Sequence, residues 1–302
     1  MKDLMIKIGF NEEETLFFSK LYENLNASIL KKFDELKTTF LNVEEDADAN
    51  TICNYVNEEL TLISESINCH KYSLHLLFLL YCSEELKNRY INKGLDISLY
   101  YNLIYDITYK LHECEKVHNI MGTDSFNWFH NHFLITLFAL GRFQYNKGVF
   151  HSDKEYRCGD VCVKPGDPVY YIHIPSSGGM PEEERLRSYK MAYEFFGCNN
   201  GNNIILVCES WLLYPQNRFI FPEDSNLMGF FSDFDIISSV EPLVPFRNAW
   251  RVFNKDYTGD TSVLPRETTL QKNYIKWLDA GNKVGNGYGI IVFDGNKIIN
   301  KH

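Results

Sequence analysis

Apolar residues recur at helical spacing through the first third of the chain. Asn11 followed by Glu12, Glu13 and Glu14 reads as an N-cap with an acidic first turn, and Leu16, Phe17, Leu21, Leu25 and Ile29 continue the period. The pattern predicts one helix from there to about Phe40. After the acidic stretch Glu44 to Asp48 it predicts helices over Thr51 to Ile67, over Ser73 to Tyr90 with Gly94 as the stop, and over Asp96 to about Val117 with Asp96 as the cap. Helices of this kind joined by short links build a bundle.

The pattern changes after Gly122. All nine prolines and most of the glycines lie beyond it, among short β-rich runs separated by turn residues. Asp124 to about Ala139 predicts one more amphipathic helix. Strands follow at Gly141 to Tyr145 and Val169 to Ile174, with a loop at Gly159 to Asp167 between them, and then a helix from Pro181 to Phe196. Asn203 to Leu213 is apolar on both faces and predicts a central strand. A short helix at Ser225 to Phe234, a strand at Val244 to Phe253, a helix at Thr268 to Ala280 and a strand at Tyr288 to Phe293 complete the order, and the Asp294-Gly295 turn returns Lys297 to Ile299 beside the last strand. The expected class is α+β: an N-terminal helical bundle in residues 1–120, then a mixed β-sheet domain with flanking helices in residues 121–302.

Composition narrows the functional classes. The 302 residues are 45% hydrophobic and 15% aromatic, enough for packed cores and incompatible with a disordered chain. Against 40 acidic residues stand 30 lysines and arginines, a net charge of −10, so neither nucleic acid nor an anionic membrane is an expected partner. The surplus is uneven: 12 basic and 20 acidic residues precede residue 121 and 18 and 20 follow, giving −8 and −2. The longest apolar run, Leu74 to Cys82, is too short for a membrane span and is interrupted by His75. MKDLMIKIGFNEEE lacks the pattern of a secretory signal, which makes the cytoplasm the expected compartment. Eight cysteines without a CxxC pair are expected as thiols, with no zinc ribbon and no metal. The sequence leaves the oligomeric state open.

Five segments carry a resemblance: GRFQYN (Gly141 to Asn146), IHIP (Ile172 to Pro175), CESWLLYP (Cys208 to Pro215), SNLMGFF (Ser225 to Phe231) and LPRETTLQK (Leu264 to Lys272). With the order of elements, they resemble a bacterial family that joins a helical N-acyltransferase-like N-terminal domain to a GNAT-like C-terminal domain, and the likeness covers essentially the whole chain. It implies a GNAT-like fold, a donor that is acetyl-CoA or another acyl-CoA, and a small-molecule or peptide amine as acceptor. The resemblance also implies that the link between the fourth strand of that fold and the next helix cradles the coenzyme A pyrophosphate on backbone amides. The matching residues are Ile174, Ser176, Ser177, Gly178 and Gly179. Paired glycines permit the close backbone approach this needs, although the usual Gly-x-Gly or Gly-x-Ala signature behind an Arg or Gln is missing and Glu182 to Glu184 add negative charge.

Aminolysis of a thioester requires a base for the amine and an acid for the departing thiolate. His173 and Glu209 are the candidate bases. With period-two alternation His173 shares a face with Tyr171 and Val169, and Glu209 with Val207 and Trp211. Tyr214 is the candidate acid. Other readings compete: Cys208 as a nucleophile with His173 as its base, and a non-catalytic module that binds a small molecule or peptide in the same cleft. His130, His132, His112, Cys114 and His118, and separately His151, Cys158 and Cys162, have the chemistry of metal ligands but not the spacing. Gly285-x-Gly287-x-Gly289 precedes a strand rather than a helix, the wrong context for a dinucleotide loop, and reads as a flexible approach. Arg247, Arg251 and Arg266 are candidate anion ligands.

Overall fold

The computed structural model describes residues 1–42, 49–197, 203–241 and 244–301. The acidic stretch Glu44 to Asp48 and Cys198 lie outside them. The chain divides into two compact units, Met1–Ala139 and Leu140–His302.

The first unit is helical. It comprises α1 (Lys2–Lys7), α2 (Glu12–Glu23), α3 (Ala27–Leu41), α4 (Ala49–Ser66), α5 (Lys71–Asn92), α6 (Ile97–Ile104), α7 (Asp106–His118) and the single turn α8 (His130–Phe133), which a 3₁₀ turn at Phe126–Phe129 precedes. The expected capping box is present: Asn11 Oδ1 accepts from Glu14 N at 2.9 Å and Glu14 Oε2 from Asn11 N at 2.8 Å. The single helix expected to run on to Phe40 is two, because Asn24 closes one and Asn26 opens the next by accepting from Ile29 N at 3.0 Å. Leu74, Leu76, Leu77, Phe78, Leu79, Leu80 and Cys82 of α5 are all buried. A stretch buried on nearly every side belongs at the centre of its bundle, and α5 packs against α2, α4, α6 and α7.

The helix expected over Asp124 to Ala139 does not form. Its aromatic residues make only the 3₁₀ turn and α8, and Ile135 at φ +57° ends them and turns the chain into β1 (Leu137–Leu140). Phe126, Phe129 and Phe133 belong to the core of the bundle, so the first unit extends past the composition change at Gly122.

Beyond β1 come β2 (Phe143–Val149), the hairpin β3 (Tyr156–Cys158) and β4 (Val161–Val163), β5 (Pro168–His173), α9 (Glu182–Phe195), β6 (Ile204–Ser210), α10 (Asn226–Phe231), β7 (Asp235–Val240), α11 (Trp250–Phe253), α12 (Thr269–Asp279) and β8 (Asn286–Phe293). Six strands form a mixed sheet in the order β1-β2-β5-β6-β8-β7. The strand expected over Val244 to Phe253 is absent; Phe246 makes one isolated bridge to Val284, and Trp250 opens α11. The sixth strand is β7, whose sequence DIISSV is half polar because β7 forms an edge with an exposed end.

The two faces of the sheet differ. On one, Phe143 stacks on Tyr189 of α9 with ring centroids 5.7 Å apart, Tyr170 on Phe196 at 4.0 Å, and Tyr189 meets Phe293 at 6.1 Å. On the other, Val169, Val207, Phe150, Tyr288 and Ile290 form a separate cluster against which Tyr171 packs.

Candidate functional site

The central strands β5 and β6 run parallel, yet they pair only at Tyr170 with Leu206 and Tyr171 with Val207. Their outer edges are bonded along the full strand: β5 to β2 from Pro168 to His173, and β6 to β8 from Ile204 to Ser210. Carried on in register, His173 would stand opposite Glu209. The ladder has ended there, so the sheet splits and the two candidate bases occupy matching positions on its two lips.

His173 is half-buried and Glu209 exposed, both on the face of Tyr171, Val207 and Tyr288. The Asn146 amide is oriented by donating from Nδ2 to Lys147 O at 2.9 Å. Its Oδ1 then accepts from His173 Nε2 at 2.6 Å, which orients the imidazole ring. Glu209 faces Tyr288 across the β6–β8 ladder. Burial above all, then Tyr288 and the Glu209 charge, push the Tyr171 hydroxyl upward. Burial does the same to Tyr288, offset in part by Tyr171 and by the His151 N–H, which donates to its oxygen at 3.3 Å. Tyr171 and Tyr288 were not anticipated. The signal was available in the alternation, which puts Tyr171 beside His173.

Tyr214 lies elsewhere. It follows a 3₁₀ turn, Trp211–Leu213, that crosses β8 on the opposite face, where glycines 285, 287 and 289 leave room for it. A β-carbon at position 285 would run into Val240 O and the Tyr214 ring, and one at 289 would press on Phe234 and Leu213. These glycines are a packing surface rather than a flexible approach. Burial raises the Tyr214 hydroxyl, with a contribution from Glu241.

The link Ile174 to Met180 joins the β5 lip to α9. Ser176, Ser177, Gly178 and Gly179 are exposed, and Gly178 adopts φ +104°. From beneath, Arg142, 8% exposed, donates from Nε to Gly179 O at 2.8 Å, from Nη1 to Pro175 O at 3.0 Å and from Nη2 to Gly178 O at 2.8 Å. Arg185 donates to the next carbonyl, Met180 O, at 2.7 Å, and its Nε to Asp233 Oδ2 at 2.6 Å. Gly229 of α10 is a glycine for this reason, because a β-carbon there would meet both Arg185 Nη atoms at 3.0 Å. Ser188 fixes α9 to the start of β2 by donating to Leu140 O at 2.5 Å, accepting from Phe143 N at 3.1 Å and bonding Tyr145 Oη at 2.8 Å. Glu182 lies 3.7 Å from Lys301 and Glu184 2.6 Å from Arg187, so two of the acidic residues that open α9 have counter-charges.

Cys208 cannot serve as the nucleophile of a His173 dyad. It is buried, alternates to the face opposite His173, and burial pushes its thiol far above the ordinary range. The other constellations also disperse. His132 bonds Asp106 Oδ2 at 3.1 Å and His130 bonds Asn127 O at 2.8 Å. His112 meets Glu14, with Glu115 nearby, at the start of α2. Cys158 and Cys162 lie on separate strands of the β3–β4 hairpin, not in a loop. Arg251 lies 4.2 Å over the Trp250 ring and Arg266 reaches Thr261 O at 3.4 Å.

On the Tyr171 face a groove of about 830 Å³ opens beside His151, bounded by Asp153, Glu155, Tyr156 and the β7 edge at Ile237 and Ser238. No helix among the described residues is long and apolar enough to cross a membrane.

Residues 137–291 match the family described as the GNAT-like C-terminal domain, and residues 1–134 match the N-acyltransferase N-terminal domain. Among solved structures, the chain is similar to an acyltransferase in complex with decanoyl-CoA and teicoplanin, with 17% identity, 96% of this chain and 98% of that one covered and a TM-score of 0.61. An acyltransferase mutant in complex with octanoyl-CoA gives 17% identity over the same shares and 0.60, and an acyltransferase in complex with CoA and 10C-teicoplanin gives 16% and 0.61. No curated protein matches the chain.

Proposed function

Because the chain belongs to the family that joins an N-acyltransferase N-terminal domain to a GNAT-like C-terminal domain, we propose that it moves an acyl group from an acyl-CoA directly to an amine. The observation that carries this reading is the split between β5 and β6, with His173 and Glu209 on its lips and the Ile174–Gly179 link at its end. The donor lies in the split with its pyrophosphate on the link, where backbone N–H groups and the α9 dipole favour an anion. His173, or Glu209 through a water, takes the amine proton as nitrogen attacks the thioester carbon. Strand amides freed by the split stabilise the oxyanion, and solvent protonates the departing sulfur, because Tyr214 packs on the opposite face of the sheet. The bound acyl-CoAs in the similar structures support a donor of this class, and teicoplanin supports a small-molecule or peptide-like acceptor.

Thermal unfolding with and without millimolar CoA, acetyl-CoA and longer acyl-CoAs tests the donor site. Ligand at about 100 times its Kd adds about 2.7 kcal/mol and raises the midpoint by several degrees. A rise followed by acyl transfer to an amine panel, lost in His173→Ala or Glu209→Gln, supports the enzyme. Binding without transfer to any amine supports the non-catalytic module, which the missing glycine signature favours, and no shift with any thioester rejects the donor.

A further inference from the structure

We propose that Arg142 is the positioning residue of the anion cradle. It shapes the Ile174–Gly179 link so that peptide N–H groups point at the ligand, and it does not touch the ligand itself. This rests on the acyl-CoA reading above.

The argument is stereochemical. In a trans peptide the C=O and N–H bonds of one unit point in opposite directions, and the chain has no cis peptide among its described residues. Arg142 draws Pro175 O, Gly178 O and Gly179 O to one side of the link. The N–H groups of Ser176, Gly179 and Met180, which belong to those same three units, therefore point to the other side. Those amides face away from the guanidinium, and Gly178 at φ +104° supplies the left-handed conformation the link needs between the first and second of them. Arg185 extends the arrangement by holding Met180 O, after which Pro181 has no N–H to place.

The guanidinium is committed to this side. Its Nε, Nη1 and Nη2 each donate to a link carbonyl, and it is 8% exposed with its plane 5.5 Å from the Phe143 ring, so it presents a planar fork to the underside of the link. Gly141 at φ +71° aims the chain into this geometry, and a β-carbon there would press on Ser188 of α9 at 3.3 Å. The GRFQY segment thus works as a unit: Gly141 turns, Arg142 holds the link, Phe143 stacks on Tyr189, and Tyr145 bonds Ser188. The link in this chain is held from below by a side chain of the β1–β2 turn.

The test compares CoA with pantetheine, which lacks the pyrophosphate and nucleotide, by calorimetric titration of the full chain and of Arg142→Lys, Arg142→Met and Gly159→Ala. Lysine keeps the charge and loses the fork. Expected is a CoA Kd at least ~10-fold weaker in both Arg142 variants with the pantetheine Kd changed less than ~2-fold, the worth of one or two charge-assisted hydrogen bonds. Gly159→Ala, which strains the turn of the β3–β4 hairpin at φ +55° and has no contact with the link, keeps the wild-type ratio of the two affinities. An Arg142→Lys protein that keeps the wild-type preference for CoA, or that loses both ligands equally, overturns the positioning role. Wild-type protein that binds neither ligand overturns the acyl-CoA reading instead. Arg142→Lys retains a cation at the buried site and is the variant to rely on if Arg142→Met does not fold.

Discussion

The carbonyl oxygen of Leu213 occupies the place where a β-carbon at position 287 would stand, so the strand β8 and the turn that follows β6 approach each other through Gly287. Gly287→Ala is expected to lose about 3 kcal/mol or more, because the obstacle is backbone and cannot swing aside. Gly159→Ala, at φ +55° with open space around it, should cost only about 1 kcal/mol. Chemical denaturation of the two variants measures the contrast, and equal losses would refute the close-approach account.

Arg185 and Asp233 are an asymmetric pair. Asp233 also accepts from Tyr189 Oη at 3.1 Å and Lys301 Nζ at 3.0 Å, whereas Arg185 has Met180 O as its other hydrogen-bonded acceptor. Removing the carboxylate strands a buried guanidinium, while removing the guanidinium leaves the carboxylate with two donors. Asp233→Ala should therefore cost more than Arg185→Met, with the former about 3–5 kcal/mol. The reverse order in urea unfolding would show that packing rather than charge decides this site.

Stability should fall in mild acid because of His75. It is buried in α5, and burial first, then the Lys71 charge, hold its imidazole down at about 4. The folded pKa lies below the unfolded value of about 6.5, so the unfolded chain takes up the proton first and stability is lost as pH drops from 6.5 towards 4. Between pH 7 and pH 5 the loss from this group is about 2 kcal/mol. Asp106 is opposed by burial but held at about 2 by His132 and Lys110, so the stability it contributes is lost only as pH falls below about 4 towards 2. Unfolding of the wild type and His75→Leu at the two pH values separates the cause: the variant should show a flatter dependence, and an unchanged slope would acquit His75.

Thiol chemistry should follow burial. Half-exposed Cys158 and Cys162 should alkylate in the native protein, while Cys208 and Cys82, fully buried with thiols pushed upward, should react at least ~100-fold more slowly until denaturant is added. Peptide mass spectrometry after iodoacetamide reads the order. Fast labelling of Cys208 would reopen the nucleophile reading that its burial closes.

The elements that carry their own caps were legible in the sequence. Asn11 and Asp96 each bond the N–H groups that the pattern assigned to them. The misreadings occurred where local pattern and tertiary packing diverge. Leu25 continues the helical period between Asn24 and Asn26, yet those two residues cap separate helices. The aromatics from Phe126 to Phe133 are spaced like a helix face but are used singly as core plugs, and Ile135 turns the chain out of helix. In β7 the polar half of DIISSV hid a strand whose outer edge has no neighbour in the sheet. For the candidate site, period two placed His173 on the face of Tyr171 and Glu209 on the face of Val207, each within its own strand. It could not show that the strands part beside them, nor that Arg142 reaches the link after β5, because both depend on how segments distant in sequence are brought together.

Since the opening between β5 and β6 is a gap in a backbone ladder, its width is set by strands anchored on their outer edges and not by the side chains along it. Residues on the lips can therefore be exchanged without closing the entrance. Descendants of this scaffold are free to alter what reacts there while the doorway keeps its dimensions.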